Sequence, residues 1–171
     1  INSYQLLNTA RKTGVNLSII ESSRKINEKM PEHVVELATD AFKECNKTIK
    51  GSDILILGIS YKPDVKDIQL TPAENIIKKL KDLGANIHIY DPYFSLTNVF
   101  GINTEENLET TTLKKMDAAI IVTGHKEFKN FTISNFRLMR NPILIDTRGI
   151  FDPVEAKNAK LIFRGLGRGQ S

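Results

Sequence analysis

In Asp53-Ile54-Leu55-Ile56-Leu57-Gly58 a short, unbroken apolar run from Ile54 to Leu57 closes on a glycine. A strand buried on both faces reads this way, because neither side of it meets water and alternation disappears. Upstream, Asn46-Lys47-Thr48-Ile49-Lys50-Gly51-Ser52 is polar and ends in Gly-Ser, which marks a boundary before the strand. Downstream, Thr71 is placed to cap a helix opened by Pro72, with Ile76, Ile77 and Leu80 as its apolar stripe and Gly84 as its stop.

The alternation then repeats. Asn86–Tyr90, Ala118–Val122, Ile143–Ile145 and, more weakly, Leu161–Phe163 read as further strands, with helical stretches at Leu108–Lys115 and Ile133–Met139. Strands alternating with helices build a parallel sheet through right-handed crossovers. The fold class is therefore α/β, a Rossmann-like parallel sheet preceded by a helical arm. Residues 1–49 form that arm and residues 50–171 the sheet domain. In the arm a helix from about Tyr4 to Lys12 stops at Gly14. A second carries apolar residues at Ile19, Ile26, Met30, Val34, Leu37, Ala41 and Cys45. Pro31 is expected to kink or restart it, since proline lacks the amide proton.

Composition narrows the function. The 171 residues are 40% hydrophobic and 26% charged, with 24 basic against 20 acidic side chains interspersed. No basic cluster interleaved with aromatics points to nucleic acid, and no apolar run is long enough for a membrane-spanning helix. The single cysteine, Cys45, allows neither an internal disulfide nor a multi-cysteine metal site and suits a reducing cytoplasm. It reads as a small core residue. A chain opening at Ile1 without a leader reads as a piece of something longer.

Ligands of doubly wound sheets bind beyond the carboxyl ends of the strands, so four loops matter: 58–63, 91–93, 123–125 and 146–149. A dinucleotide fingerprint needs glycines at the first, third and sixth positions of the first loop. Here Gly58 is followed by Ser60 and Pro63 at the other two, which disfavours NAD in the usual manner even though Asp91 stands where a ribose-binding acid would. Lys62 and Arg148, leaving adjacent-looking strands, are placed to converge on a diphosphate, the guanidinium by a bidentate grip and the ammonium as a point charge. His125 is a candidate base, though a lone histidine is more often structural. The tail Gly165-Leu166-Gly167-Arg168-Gly169 is either an anion-binding nest or, more in keeping with its place, a flexible terminus.

Several segments, in order and spacing, resemble the UDP-glucose/GDP-mannose dehydrogenase family. They are Asn2-Ser3-Tyr4-Gln5-Leu6-Leu7, Arg24 through Pro31, Leu57-Gly58 through Tyr61-Lys62-Pro63-Asp64, Thr71-Pro72-Ala73, Tyr90-Asp91-Pro92-Tyr93 and Ile145-Asp146-Thr147-Arg148. The Ile-Asn-Glu-Lys-Met-Pro run and the glycine-rich tail look most like its UDP-N-acetyl-D-mannosamine dehydrogenase branch. The resemblance implies that residues 1–49 end a central dimerisation region and that residues 50–171 are a UDP-binding domain. It implies a UDP-sugar substrate oxidised at C6 to a carboxylate with two NAD+, through a thioester on a cysteine upstream of Ile1. UDP-glucose is the alternative sugar, and a non-catalytic nucleotide-sugar-binding or assembly module the alternative role. Carried over by residue, Tyr61 and Lys62 match the pair that holds the nucleotide and Arg148 the strand-end arginine on the substrate. Asn2 stands near the catalytic thiol in place of an aspartate, and Gln69 replaces an arginine that reaches NAD. A cytoplasmic homodimer or higher homo-oligomer is implied.

Overall fold

The computed structural model describes residues 2–168, and of Asn2 only the backbone. Two helices form the arm, α1 (Asn2–Lys12) and α2 (Ser18–Glu44). The sheet domain follows as β1 (Asp53–Leu57), α3 (Pro72–Asp82), β2 (Asn86–Tyr90), β3 (Asn98–Val99), β4 (Ile102–Asn103), α4 (Thr110–Leu113), β5 (Ala118–Ile121), β6 (Ile143–Asp146), α5 (Pro153–Asn158) and β7 (Ile162–Gly165). Five strands pair in parallel in the order β2-β1-β5-β6-β7. The chain steps from β1 outward to β2 and returns to β5 on the other flank of β1. The switch point therefore lies between β1 and β5.

The period-two geometry of a strand explains why β1 has no polar face. Ile54 and Ile56 point into one core with Ile120, Ile143 and Ile145, covered by Val34, Val35, Ala38 and Phe42 of α2 and by Ile76, Ile77 and Leu80 of α3. Leu55 and Leu57 point into the other, with Ile121, Leu144, Leu113, Phe128, Phe136 and Phe163. The second half of α2 is thus part of the sheet's own core, and the two sides of residue 49 share one packed interior. Buried Arg164 of β7 reaches Glu44 at the end of α2, so an ion pair ties the arm to the edge strand.

The structure departs from the sequence reading in several places. Helix α2 continues through Pro31, so the proline does not restart it. Pro31 is buried, and the tertiary packing of the following turns, Val34 to Phe42, supports the helix across the missing backbone hydrogen bond. The stretch expected at Leu108–Lys115 shortens to the single turn of α4, and Ile133–Leu138 is a 3-10 helix capped by Thr132 and Asn135. The antiparallel pair β3/β4 and a 3-10 turn at Lys126–Asn130 had no periodic signal. The tail is folded as far as Arg168: β7 ends on Gly165, the Leu166 amide bonds the Asp146 carbonyl at 3.1 Å, and Gly169 lies outside the described residues.

Helix α3 starts as expected, Thr71 Oγ1 accepting the Ala73 amide at 3.3 Å and Pro72 opening the first turn. Thr71→Ala should cost about 1 kcal/mol, the usual worth of an N-cap, read as a lowered urea midpoint with unchanged slope. A loss within error would mean that the cap is not holding α3. Among the described residues no helix is long and apolar enough to cross a membrane.

Candidate functional site

The loops leaving β1, β5 and β6 are laced together at the carboxyl edge of the sheet. Gly58 adopts φ +78° and lies so close to the next loop that an added Cβ would strike the Thr123 carbonyl oxygen and stand 2.8 Å from the Thr123 Cβ. Glycine there lets the two loops touch at the switch point. Thr123 Oγ1 in turn donates to the Ser60 carbonyl.

Asp91, fully buried at the end of β2, organises the first loop. Its Oδ2 accepts from the Ile59 amide (2.8 Å), the Ser60 amide (3.1 Å), the Ser60 hydroxyl (3.0 Å) and His125 Nε2 (3.0 Å), and its Oδ1 from the Tyr93 amide (2.9 Å). Burial alone would raise its carboxyl. The bonds from His125, Ile59 and Tyr93 outweigh that and hold it below the ordinary carboxylate range. Asp91 stands where a ribose-binding acid would, but its oxygens are taken up by the loops after β1, β2 and β5 and the residue is fully buried. Ser60 is buried with its hydroxyl committed to Asp91, and Pro63 has no amide to offer. The residues at this edge do not fit a dinucleotide held in the usual Rossmann manner.

The tip of that loop is left outward. Tyr61 is 43% exposed, Lys62 is exposed with its Nζ 5.7 Å from the centre of the Tyr61 ring, and the Tyr61 amide bonds the Asp67 carbonyl at 2.6 Å. Gln69 is exposed too, its amide held by Asp67 Oδ1 at 2.9 Å. From the far side comes Arg148. Buried Asp146 accepts the amides of Arg148 (2.9 Å), Gly149 (2.8 Å) and Phe151 (2.9 Å), which turns the chain sharply after β6. The Arg148 side chain then crosses toward β5, with its Cβ packed where Gly124 leaves room and its Nε donating to the Val122 carbonyl at 2.6 Å. One loop, 122–125, separates the Arg148 side chain from the segment that carries Lys62. Neither cation enters an ion pair among the described residues. Two open hollows of about 560 Å³ each run along α2 and include none of Tyr61, Lys62 and Arg148.

Residues 55–153 match the UDP binding domain of the UDP-glucose/GDP-mannose dehydrogenase family. This chain belongs to that family. Among its relatives, UDP-glucose 6-dehydrogenase of Bacillus subtilis is 30% identical over 167 residues, covering 95% of this chain and 35% of that protein. UDP-N-acetyl-D-mannosamine dehydrogenase of Methanococcus aeolicus is 36% identical over 137 residues, covering 78% and 30%. Among solved structures, an NDP-N-acetyl-D-galactosaminuronic acid dehydrogenase from Methanosarcina mazei Go1 superposes with a TM-score of 0.85 at 26% identity, over 97% of this chain and 36% of that one. The chain spans about a third of the length of these nucleotide-sugar dehydrogenases.

Sequence reasoning singled out Tyr61, Lys62 and Arg148, which the structure leaves exposed, and gave no role to the side chains that hold their loops in place. Asp91, Asp146 and Thr123 are the builders. For the two aspartates the signal available was position: an acidic residue at a strand's carboxyl end, where backbone amides of the following turn need an acceptor. The side chain of Asn2 lies outside the described residues.

Proposed function

We propose that this chain is the UDP-gripping C-terminal part of a nucleotide-sugar 6-dehydrogenase, with Tyr61, Lys62 and Arg148 holding the nucleotide and its diphosphate. The observation that carries the reading is the course of Arg148, drawn across Gly124 onto the end of β5 toward the loop of Lys62, with neither cation in an ion pair among the described residues. Two positive groups without an acidic partner there suit a diphosphate, the lysine as a point charge and the arginine as a fork. Tyr61 offers an exposed ring beside Lys62 for the uracil to stack on.

The sugar in this proposal is UDP-N-acetyl-D-mannosamine, oxidised to the uronate with two NAD+, and UDP-glucose is the alternative supported by the Bacillus subtilis relative. Cofactor and nucleophile are assigned to parts of such an enzyme outside these 171 residues, with Gln69 as the one candidate here for a contact with NAD. Cys45 is not the candidate nucleophile: it sits half-buried at the end of α2, where burial, reinforced by the Glu44 carboxylate, pushes its thiol up. A homodimer or higher oligomer through the arm is supported by Ile19 and Ile26, which stand 81% and 65% exposed on α2. A cytoplasmic place belongs to the same reading, in keeping with the single cysteine.

Calorimetric titration tests the reading. UDP should bind and NAD+ should not, weakly in absolute terms because the cations stand on an open edge. Lys62→Ala and Arg148→Ala should each weaken UDP about tenfold, roughly 1.4 kcal/mol, with the melting temperature unchanged for Lys62→Ala and slightly lowered for Arg148→Ala, which also gives up the bond to the Val122 carbonyl. NAD+ binding in place of UDP, or indifference of UDP affinity to both substitutions, would overturn it. NAD+ reduction by the isolated chain would refute the non-catalytic assignment.

A further inference from the structure

His125 is fully buried, at the switch point, between the end of β5 and the loop that carries Tyr61 and Lys62. Its surroundings assign its tautomer. The Asp64 backbone amide lies 2.9 Å from Nδ1 and can only donate, so Nδ1 is the acceptor. The Asp91 carboxylate, 3.0 Å from Nε2, is ionised and can only accept, so Nε2 carries the proton. The ring is clamped between Tyr93 (centroids 5.1 Å apart) and Phe128 (5.4 Å), which fixes its plane.

Asp64 is the matching part. It holds φ +60°, a conformation uncommon outside glycine. That turn aims its amide at His125 while its Oδ1 accepts the Lys126 amide at 3.0 Å. The loop is therefore pinned at its start by Asp91 through Ile59 and Ser60, and at its far end by His125 through Asp64. Only Tyr61, Lys62 and Pro63 lie between the two anchors. A general base would need an exposed, unengaged nitrogen, and His125 has neither.

We propose that His125 is a positioning residue, a latch whose Nδ1 holds the Asp64 amide and so sets where the Tyr61–Lys62 tip presents itself to a nucleoside diphosphate. The ligand half of this statement rests on the function proposed above; the latch half does not. The geometry explains why a histidine stands here: one ring supplies a donor toward Asp91 and an acceptor toward Asp64 across the gap between two loops.

Two near-isosteric substitutions separate the two halves of the ring. In His125→Asn the side-chain oxygen takes the place of Nδ1 and the bond from Asp64 is kept. In His125→Gln the amide nitrogen takes the place of Nε2, so the bond to Asp91 is kept and the acceptor for Asp64 is lost. Hydrogen exchange at the Asp64 amide and calorimetry with UDP are read on the 171-residue chain and on both variants, with His125→Phe as the variant lacking both bonds. Asn should retain exchange protection at Asp64 and a UDP affinity within about threefold of the parent. Gln and Phe should lose the protection and weaken UDP about tenfold. If Asn and Gln lose affinity and protection together, in step with their melting temperatures, His125 is a packing residue and the proposal falls. Should the unaltered chain fail to bind UDP, the function proposed above fails by itself. The exchange data then still uphold the latch if protection follows the acceptor, and overturn it if it does not.

Discussion

Gly58→Ala should destabilise the chain by about 3 kcal/mol or more and remove UDP binding with it, while Gly51→Ala should cost only about 1 kcal/mol. Both glycines sit at nearly the same left-handed φ, +78° and +76°. They differ in what a methyl group would meet. At Gly51 nothing lies within 4 Å, so alanine there reports the backbone cost alone. At Gly58 the methyl would strike the Thr123 carbonyl, which cannot move away, because Thr123 is buried and bonded to Ser60 through its hydroxyl. Relief requires the loops after β1 and β5 to separate, which carries the Lys62 loop away from Arg148. Urea unfolding of the two variants gives the comparison, and equal losses would show that the close approach at the switch point carries no energetic weight.

The second large effect is expected at Asp91. Asp91→Asn should cost about 3 kcal/mol near neutral pH, the scale for a buried, charge-assisted hydrogen-bonded group that loses its charge and one partner. The best-placed asparagine keeps its oxygen toward Ile59, Ser60 and His125 and turns its NH2 against the Tyr93 amide, leaving two donors facing each other. The pH dependence has a definite sign. The folded protein holds the Asp91 carboxyl below its ordinary value of 3.8, so its contribution is complete above that value and is lost as pH falls through the depressed folded value. The gap between parent and variant should therefore stay constant from neutral pH down to about pH 4 and close below it. Asp53, also held low by Arg140 and His88 against its burial, is common to both proteins and cancels from the difference. A gap that widens on acidification would contradict the ionised, internally bonded Asp91 on which the loop depends.

Much of the architecture was legible because it depends on local chemistry. Unbroken apolar runs at 54–57, 118–122 and 143–145 announced strands buried on both faces, and Thr71-Pro72 announced the start of α3. What escaped had no local signature. The two-residue strands β3 and β4 are too short for any period to register. The course of α2 through Pro31 depends on how the next three turns, Val34 to Phe42, pack against the sheet. Arg164 could not be told from any other arginine until β7 laid it against Glu44, 120 positions earlier in the chain.

The site divides in the same way. Tyr61, Lys62 and Arg148 could be singled out by residue type and by their place after strands. That Asp91 is an internal acceptor and not a ligand for ribose, and that His125 is a two-sided bridge and not a free base, depended on which amides come to lie beside them. Residue order alone determined the main strands, helix α3 and the parallel sheet, because periodicity and turn chemistry act over a few residues. The tertiary structure alone decided which polar groups at that edge are consumed by one another and which remain free. Hydrogen bonds and close approaches across 32 to 63 positions, such as Ile59 to Asp91 and Thr123 to Ser60, exist only once the strands are side by side.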